Sequence, residues 1–299
     1  MTHSLTGEFS ALAVAVFWTI TALAFESASK RVGSVSVNLI RLILAMVFLT
    51  IYSWIVRGVP LPTDALAHQW IWLSLSGLVG FVLGDLFLFE SYTIIGSRLA
   101  MLIMTLAPPI TAVAGWLWLD EHLTRLSVVG IAVTFSGILM ATIGRNPTGQ
   151  KLRFNMPLKG FLLALGGACG QAFGLILSKL GMAGYDAFAA TQIRIVTGIA
   201  GFSLIVLVMG KFKQTLLALK NPRGMTGITI GSFFGPFLGV SLSLYAIKFT
   251  ATGIAATIIS TIPILIIPPA ILIFKQKVTR QEIAGAVISV IGVGLFFVK

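Results

Sequence analysis

Three charged residues stand inside otherwise apolar stretches. Asp85 lies within "GLVGFVLGDLFLFE", Arg41 within "NLIRLILAMVFL" and Arg194 within "ATQIRIVTGIAG". An ionised side chain in hydrocarbon is costly, so each is a functional candidate. Asp85 and Arg41 both sit about six residues inside their segments, roughly 9 Å from the same membrane face at 1.5 Å per residue. They can therefore pair, either as a structural ion pair or as a proton-coupling site whose carboxylate responds to substrate. Trp18, Thr19, Gln171, Gln192, Ser241, Ser243 and Tyr245 add polar and aromatic groups in or near apolar runs. They serve either as a cavity lining or as ordinary hydrogen bonds between helices. Pro108-Pro109, Pro263 and Pro268-Pro269 interrupt two further runs. Proline removes an amide donor and clashes with the preceding turn, so a kink is expected at each place. Such kinks are structural or they bend during gating.

The elements that carry these residues follow from composition. Of 299 residues, 57% are hydrophobic and 10% charged, against about 25% charged in a typical soluble domain. Nine acidic and 21 basic residues cannot clothe a soluble protein of this size. The chain reads as an all-α membrane protein with ten transmembrane helices, near 9–27, 35–56, 69–91, 97–118, 124–143, 158–179, 187–209, 225–247, 252–274 and 280–298. A barrel would alternate apolar and polar residues with period two, and runs such as "AGAVISVIGVGLFFV" do not. The first eight residues contain Glu8 and neither Lys nor Arg, unlike a cleavable signal.

The two halves resemble each other. At an offset of 155, residues 77–143 align on 232–298 without a gap, matching Gly80 with Gly235, Gly84 with Gly239, Pro108 with Pro263, Gly130 with Gly285 and Gly137 with Gly292. At an offset of 153, Arg41 falls on Arg194. Two five-helix repeats are expected, 1–146 and 158–299, joined by a loop at 147–157. Each has an odd number of spans, so the second should be inverted. Inverted repeats characterise secondary transporters, with the site near midplane. The match to Asp85 in the second half is Val240. Arg194 therefore needs backbone carbonyls, water or an anionic ligand, unless it snorkels to the interface.

Basic residues in the loops are unevenly shared. Fourteen lie on the side of the 1–2, 3–4, 5–6, 7–8 and 9–10 loops and five on the other. That bias puts the first side in the cytoplasm and both termini outside. The net charge of +12 is scattered singly and reads as orientation charge, not a nucleic-acid surface. Cys169 is the single cysteine, and His3, His68 and His122 are far apart. No disulfide, metal site or cofactor is expected. No phosphate-binding "GxxxxGK[ST]" string occurs, which excludes ATP hydrolysis by this chain.

Trp18, Arg41, Pro108, "DEHLT" at 120–124, Gly130 and Gly137, with Arg194, Pro263, "KQKVT" at 275–279, Gly285 and Gly292, make the chain resemble the drug/metabolite transporter superfamily, EamA type. The resemblance implies export or exchange of small metabolites, often amino acids or amphiphiles, across a bacterial inner membrane by a monomer or homodimer. Its pattern departs here at Gln276, where the counterpart of Glu121 is expected, and at Glu26, where a basic residue is frequent. Family members commonly keep their termini in the cytoplasm, against the charge bias. The expected site is Arg194 with Trp18, Gln171, Gln192 and Tyr245 for substrate, Asp85 and Arg41 for coupling, and Pro108 and Pro263 for gating. A channel, a scaffold or a membrane-embedded enzyme are the alternatives. The enzyme is disfavoured because no span carries a His/Asp/Glu cluster.

Overall fold

The computed structural model describes residues 2–118, 124–145, 152–154, 156–182, 184–239, 242–243 and 258–295. It is built of helices: α1 Thr2–Val32, α2 Ser34–Arg57, α3 Ala67–Ser76, α4 Asp85–Met104, α5 Ala107–Trp118, α6 Arg125–Thr142, α7 Leu158–Met182, α8 Ala187–Val208, α9 Phe212–Leu219, α10 Pro222–Ser232, α11 Ile262–Leu265, α12 Ile267–Phe274 and α13 Arg280–Leu295. A short antiparallel ribbon, Ile143–Arg145 with Leu152–Phe154, modifies the all-helical expectation at the join between the halves. Among the described residues, six helices are long and apolar enough to cross a membrane. The run 67–104 is one of them. It joins the expected third segment to the start of the fourth through a break at Gly96 instead of a loop. There φ is +78°, a conformation that glycine adopts without strain. Its neighbour Ser97 is held by the buried carboxylate of Glu26, which accepts from the Ser97 amide at 2.8 Å and its hydroxyl at 2.5 Å. The amphipathic α9 lies within what the sequence reading treats as a loop, where "KFKQTLLALK" has too few apolar residues to span.

Close packing repeats with the sequence. A methyl group on Gly84 would lie 3.2 Å from Gly170, and one on Gly174 2.9 Å from Gly80, so α7 packs directly on the segment Gly77–Gly84 that follows α3. The repeat-related pair behaves alike: a methyl on Gly235 would strike Thr21 at 2.6 Å and one on Gly239 would reach Trp18 at 3.2 Å. Helices α6 and α13 meet in the same reciprocal way. Gly137 faces Ser289 while Gly292 faces Thr134, and the 155-residue offset places Gly137 on Gly292 and Thr134 on Ser289.

Two irregularities recur at matching places. The segments Gly77–Gly84 and Phe233–Gly239 are both π-helical. In the first, the Asp85 amide reaches the Gly80 carbonyl five residues back. Single π-turns in helices concentrate at functional sites. Prolines break the other pair. Leu106 donates three residues back to Ile103 at 2.9 Å, then α5 begins with Pro108 and Pro109 in its first turn. Thr261 donates three residues back to Ile258 at 3.1 Å, then α11 begins with Pro263. Pro268 and Pro269 open α12 in the same manner. A proline in the first turn sacrifices no intrahelical bond, so each one starts a new helical piece after a tightened turn.

Candidate functional site

The site is built where the π-turn delivers Asp85 to the start of α4. Asp85 and Arg41 are each 4% exposed. The Arg41 guanidinium donates through Nη2 to Asp85 Oδ2 in an ion pair. Its Nε donates to Asn38 Oδ1 at 2.8 Å, one helical turn back. Asn38 Nδ2 in turn donates to the Asp85 backbone carbonyl at 3.3 Å. Gln171 Nε2, from α7, donates to the other carboxylate oxygen, Oδ1, at 2.9 Å. Aromatic faces surround the cation: Arg41 lies 4.7 Å from the Phe89 ring centroid and 5.6 Å from that of Phe25. The carboxylate is thus shared between both halves of the chain.

Arg194 sits opposite and is differently placed. Its guanidinium lies 4.4 Å from the Phe81 ring centroid. Its Nε is buried without a hydrogen-bond partner, and among the described residues its side chain has no ion pair. Stacking on a ring partly offsets desolvation of a cation but leaves its donors unused. Thr21 Oγ1 is likewise buried without a partner.

These groups line one cavity of about 290 Å³, at the small end of ligand pockets. Trp18, Thr21 and Phe25 come from α1, Arg41 from α2, Phe81 from the π-turn and Gln171 from α7. Thr191 and Arg194 come from α8, and Pro236 from the second π-segment. Asp85, Phe89, Tyr92 and Met101 complete the wall from α4. Of the residues singled out from sequence, Trp18, Gln171, Arg41, Asp85 and Arg194 are brought together here.

Gln192 is not. It is wholly buried on another face of α8, where Nε2 donates to the Pro60 carbonyl at 2.8 Å and Oε1 accepts from Ser53 at 3.4 Å. Gln192 and Arg194 are two positions apart, which turns their side chains about 200° from each other on a helix. The residue sharing the Arg194 face is Thr191, three positions earlier, and that spacing could have identified it. Thr19 turns away from the cavity and bonds the Ala15 carbonyl at 2.8 Å. Ser243 bonds back to Gly239 at 2.6 Å. Tyr245, Ser241 and Glu121 lie outside the described residues. Pro108 and Pro263 sit at the helix breaks, not in the wall. The aromatic residues Phe25, Phe81, Phe89 and Tyr92 went unremarked in the sequence because nothing distinguishes them there from other apolar residues.

Two polar ties link the halves at opposite ends. Near the start of α13, Arg98 Nη1 lies 3.2 Å from Glu282 Oε2, and its Nε donates to Gln276 at 3.1 Å. At the other end, Arg57 Nη2 lies 2.6 Å from Asp64, and its Nε lies 3.7 Å from Asp186. Tyr185 donates to Asp64 at 2.7 Å. That hydrogen bond is the main reason the Asp64 carboxyl is held below its usual value. Burial chiefly, then the same bond, pushes the Tyr185 phenol up to about 12.

A two-part helical membrane protein with a charged cavity lined from both of its halves has the form of a carrier for small solutes. The EamA-like transporter family model matches residues 5–143 and again 158–298, so the chain belongs to that family, within the drug/metabolite transporter superfamily. It is an integral membrane protein, and its family is one of transporters, not enzymes. A relative from Bacillus subtilis (strain 168), "Uncharacterized transporter YvbV", is 23% identical over 193 residues. The match covers 64% of this chain and 60% of that protein's length. A solved crystal structure, described only as that of a protein, superposes with a TM-score of 0.62 at 16% identity, covering 98% of this chain and 96% of the other. It is similar in fold.

Proposed function

We propose that the chain is a secondary transporter of small carboxylated metabolites, amino acids among them, working by alternating access. The observation that carries this reading is the inequality of the two repeat-related arginines. Arg41 is neutralised in direct contact by Asp85, whereas Arg194 faces the same cavity, feels the Asp85 charge only at longer range, and makes no ion pair of its own among the described residues. A substrate carboxylate supplies the missing acid, because a guanidinium fork matches it in two parallel hydrogen bonds. Thr191 and Thr21 offer hydroxyls to the rest of the substrate, and Trp18 covers an apolar side chain. The Asp85–Arg41 pair, shared with Gln171, is the coupling element. A proton on Asp85 would remove the counter-ion of Arg41 and weaken the charge-assisted bond from Gln171, and so loosen the contact between halves.

Alternating access follows from the repeats. Two halves of five spans each, 1–146 and 158–299 about the connection 147–157, run in opposite senses through a bacterial inner membrane. The reciprocal contacts of α6 with α13 support a pseudo-two-fold relation, about which the halves rock. Opening at one end breaks Arg98–Glu282, and opening at the other breaks Arg57–Asp186. The turns before Pro108 and Pro263 are the bending points.

Counterflow in proteoliposomes tests the reading, after a thermal-shift screen of amino acids and other carboxylates selects a substrate. A carrier exchanges labelled substrate against an unlabelled internal pool, and a channel does not. Arg194→Lys keeps the charge but loses the fork. It should raise the half-saturating concentration for the carboxylate at least ten-fold and leave that for the uncharged amide analogue unchanged. Equal handling of both compounds by parent and variant would remove Arg194 from the substrate site.

A further inference from the structure

Helix α1 has two working faces. Trp18, Thr21 and Phe25 look into the central cavity. Val16, Ile20, Leu23 and Ser27, at helical spacing on another face, line a separate groove of about 550 Å³. Ile230 of α10 and Leu265 and Pro269 of the broken segment 262–274 form its other apolar wall. The groove is charged at one end only, where Ser27, Thr226 and Arg223 meet; Thr19 lines the other end, with its hydroxyl turned back onto the Ala15 carbonyl at 2.8 Å. Arg223 is exposed and has no ion-pair partner among the described residues. Lys30 stands at the same end, its Nζ 5.6 Å from the ring of Phe274, a groove residue, but its charge is paired with Glu26 at 2.5 Å, which leaves Arg223 as the cation at the mouth without an ion pair among the described residues.

We propose that this groove holds one acyl chain of an anionic phospholipid whose phosphate is bound by Arg223 at its mouth. Three observations favour that occupant. From Val16 to Ser27 the groove follows α1 for roughly 16 Å at 1.5 Å per residue, close to half of a hydrocarbon core of about 30 Å. Its basic end therefore falls at the headgroup level when its apolar end reaches midplane. Its polarity is that of a lipid, with one charged end and an apolar remainder. A second copy of the chain fits less well, because each copy carries +12 and most of its loop cations lie on this same side. Basic pockets between spans attract anionic headgroups by the same electrostatics.

Native mass spectrometry of the full chain, taken from detergent micelles containing equal phosphatidylglycerol and phosphatidylcholine, reads the site directly. The parent should retain phosphatidylglycerol over phosphatidylcholine about five-fold, the selectivity expected from one basic residue near an anionic headgroup. Arg223→Gln, an exposed change outside the central cavity, should bring the ratio to about one without altering the melting temperature in lipid-free detergent. Ile20→Trp fills the groove and should lower retention of both lipids. A parent that holds the two lipids equally, or an Arg223→Gln variant that keeps the parental ratio, overturns the proposal. So does an Ile20→Trp variant that retains lipid normally but converts a dimer to a monomer, since the occupant is then a second copy.

Discussion

Removing the charge of Asp85 while leaving Arg41 in place should destabilise the protein more than removing both. In the parent, the Arg41 guanidinium is buried against Phe25, Phe81 and Phe89 and has Asp85 as its counter-ion. Asp85→Asn preserves shape and leaves the Gln171 and Asn38 contacts available, but it strands a cation among rings. Breaking a buried pair in this way costs about 3–5 kcal/mol. Coulomb's law agrees in scale, giving about 4 kcal/mol for charges roughly 4 Å apart at an effective dielectric of about 20. Adding Arg41→Gln removes the stranded cation and sacrifices its ring contacts, worth about 1–2 kcal/mol when desolvated, and its hydrogen bond to Asn38, worth about 1 kcal/mol net. The double variant should therefore be more stable than Asp85→Asn alone. The coupling should exceed the ~0.6 kcal/mol average of uncharged hydrogen bonds between spans. SDS-driven unfolding followed by circular dichroism, on all four proteins of the cycle, measures it. Single effects that add to within about 0.5 kcal/mol in the double variant would show that the two residues do not interact.

Other expectations are more local. Gly137→Val should loosen the α6–α13 contact, because its side chain would displace the Ser289 backbone, with a loss of about 1–3 kcal/mol in the same unfolding assay. Tyr185→Phe should raise the titration midpoint of Asp64 toward its ordinary 3.8, read by carboxyl carbon NMR, because the phenol is the main cause of its lowering. The sign fixes the pH window. A lowered carboxyl stabilises the folded state above its unfolded value and loses that contribution as pH falls through the folded one, whereas the Tyr185 phenol contributes below 10 and is lost as pH rises through about 12. Solvent screening keeps both contributions small at this exposed corner. Pro108→Ala and Pro263→Ala should slow transport while expression stays normal; parental rates in both would remove the bending turns from the gating scheme.

Composition and repeat matching determined much of this architecture. A chain so poor in charge can only bury its backbone in lipid as helices. The 155-residue offset paired Gly80 with Gly235 and Gly137 with Gly292, and those glycines prove to lie at matching close approaches. Arg41, Asp85 and Arg194 were legible as site candidates because charge within an apolar run is rare and visible in one dimension. Tertiary structure alone decided which ordinary residues joined them. Phe81, Phe89 and Thr191 carry no mark in the sequence, and Gln192, which looked polar enough to serve, is turned aside by two residues' helical rotation from Arg194. The π-turn before Asp85 and the break at Gly96 were equally invisible. Local preference for them is weak, and they persist because interhelical contacts hold them: Arg41 and Gln171 grip Asp85, and the Glu26 carboxylate grips Ser97.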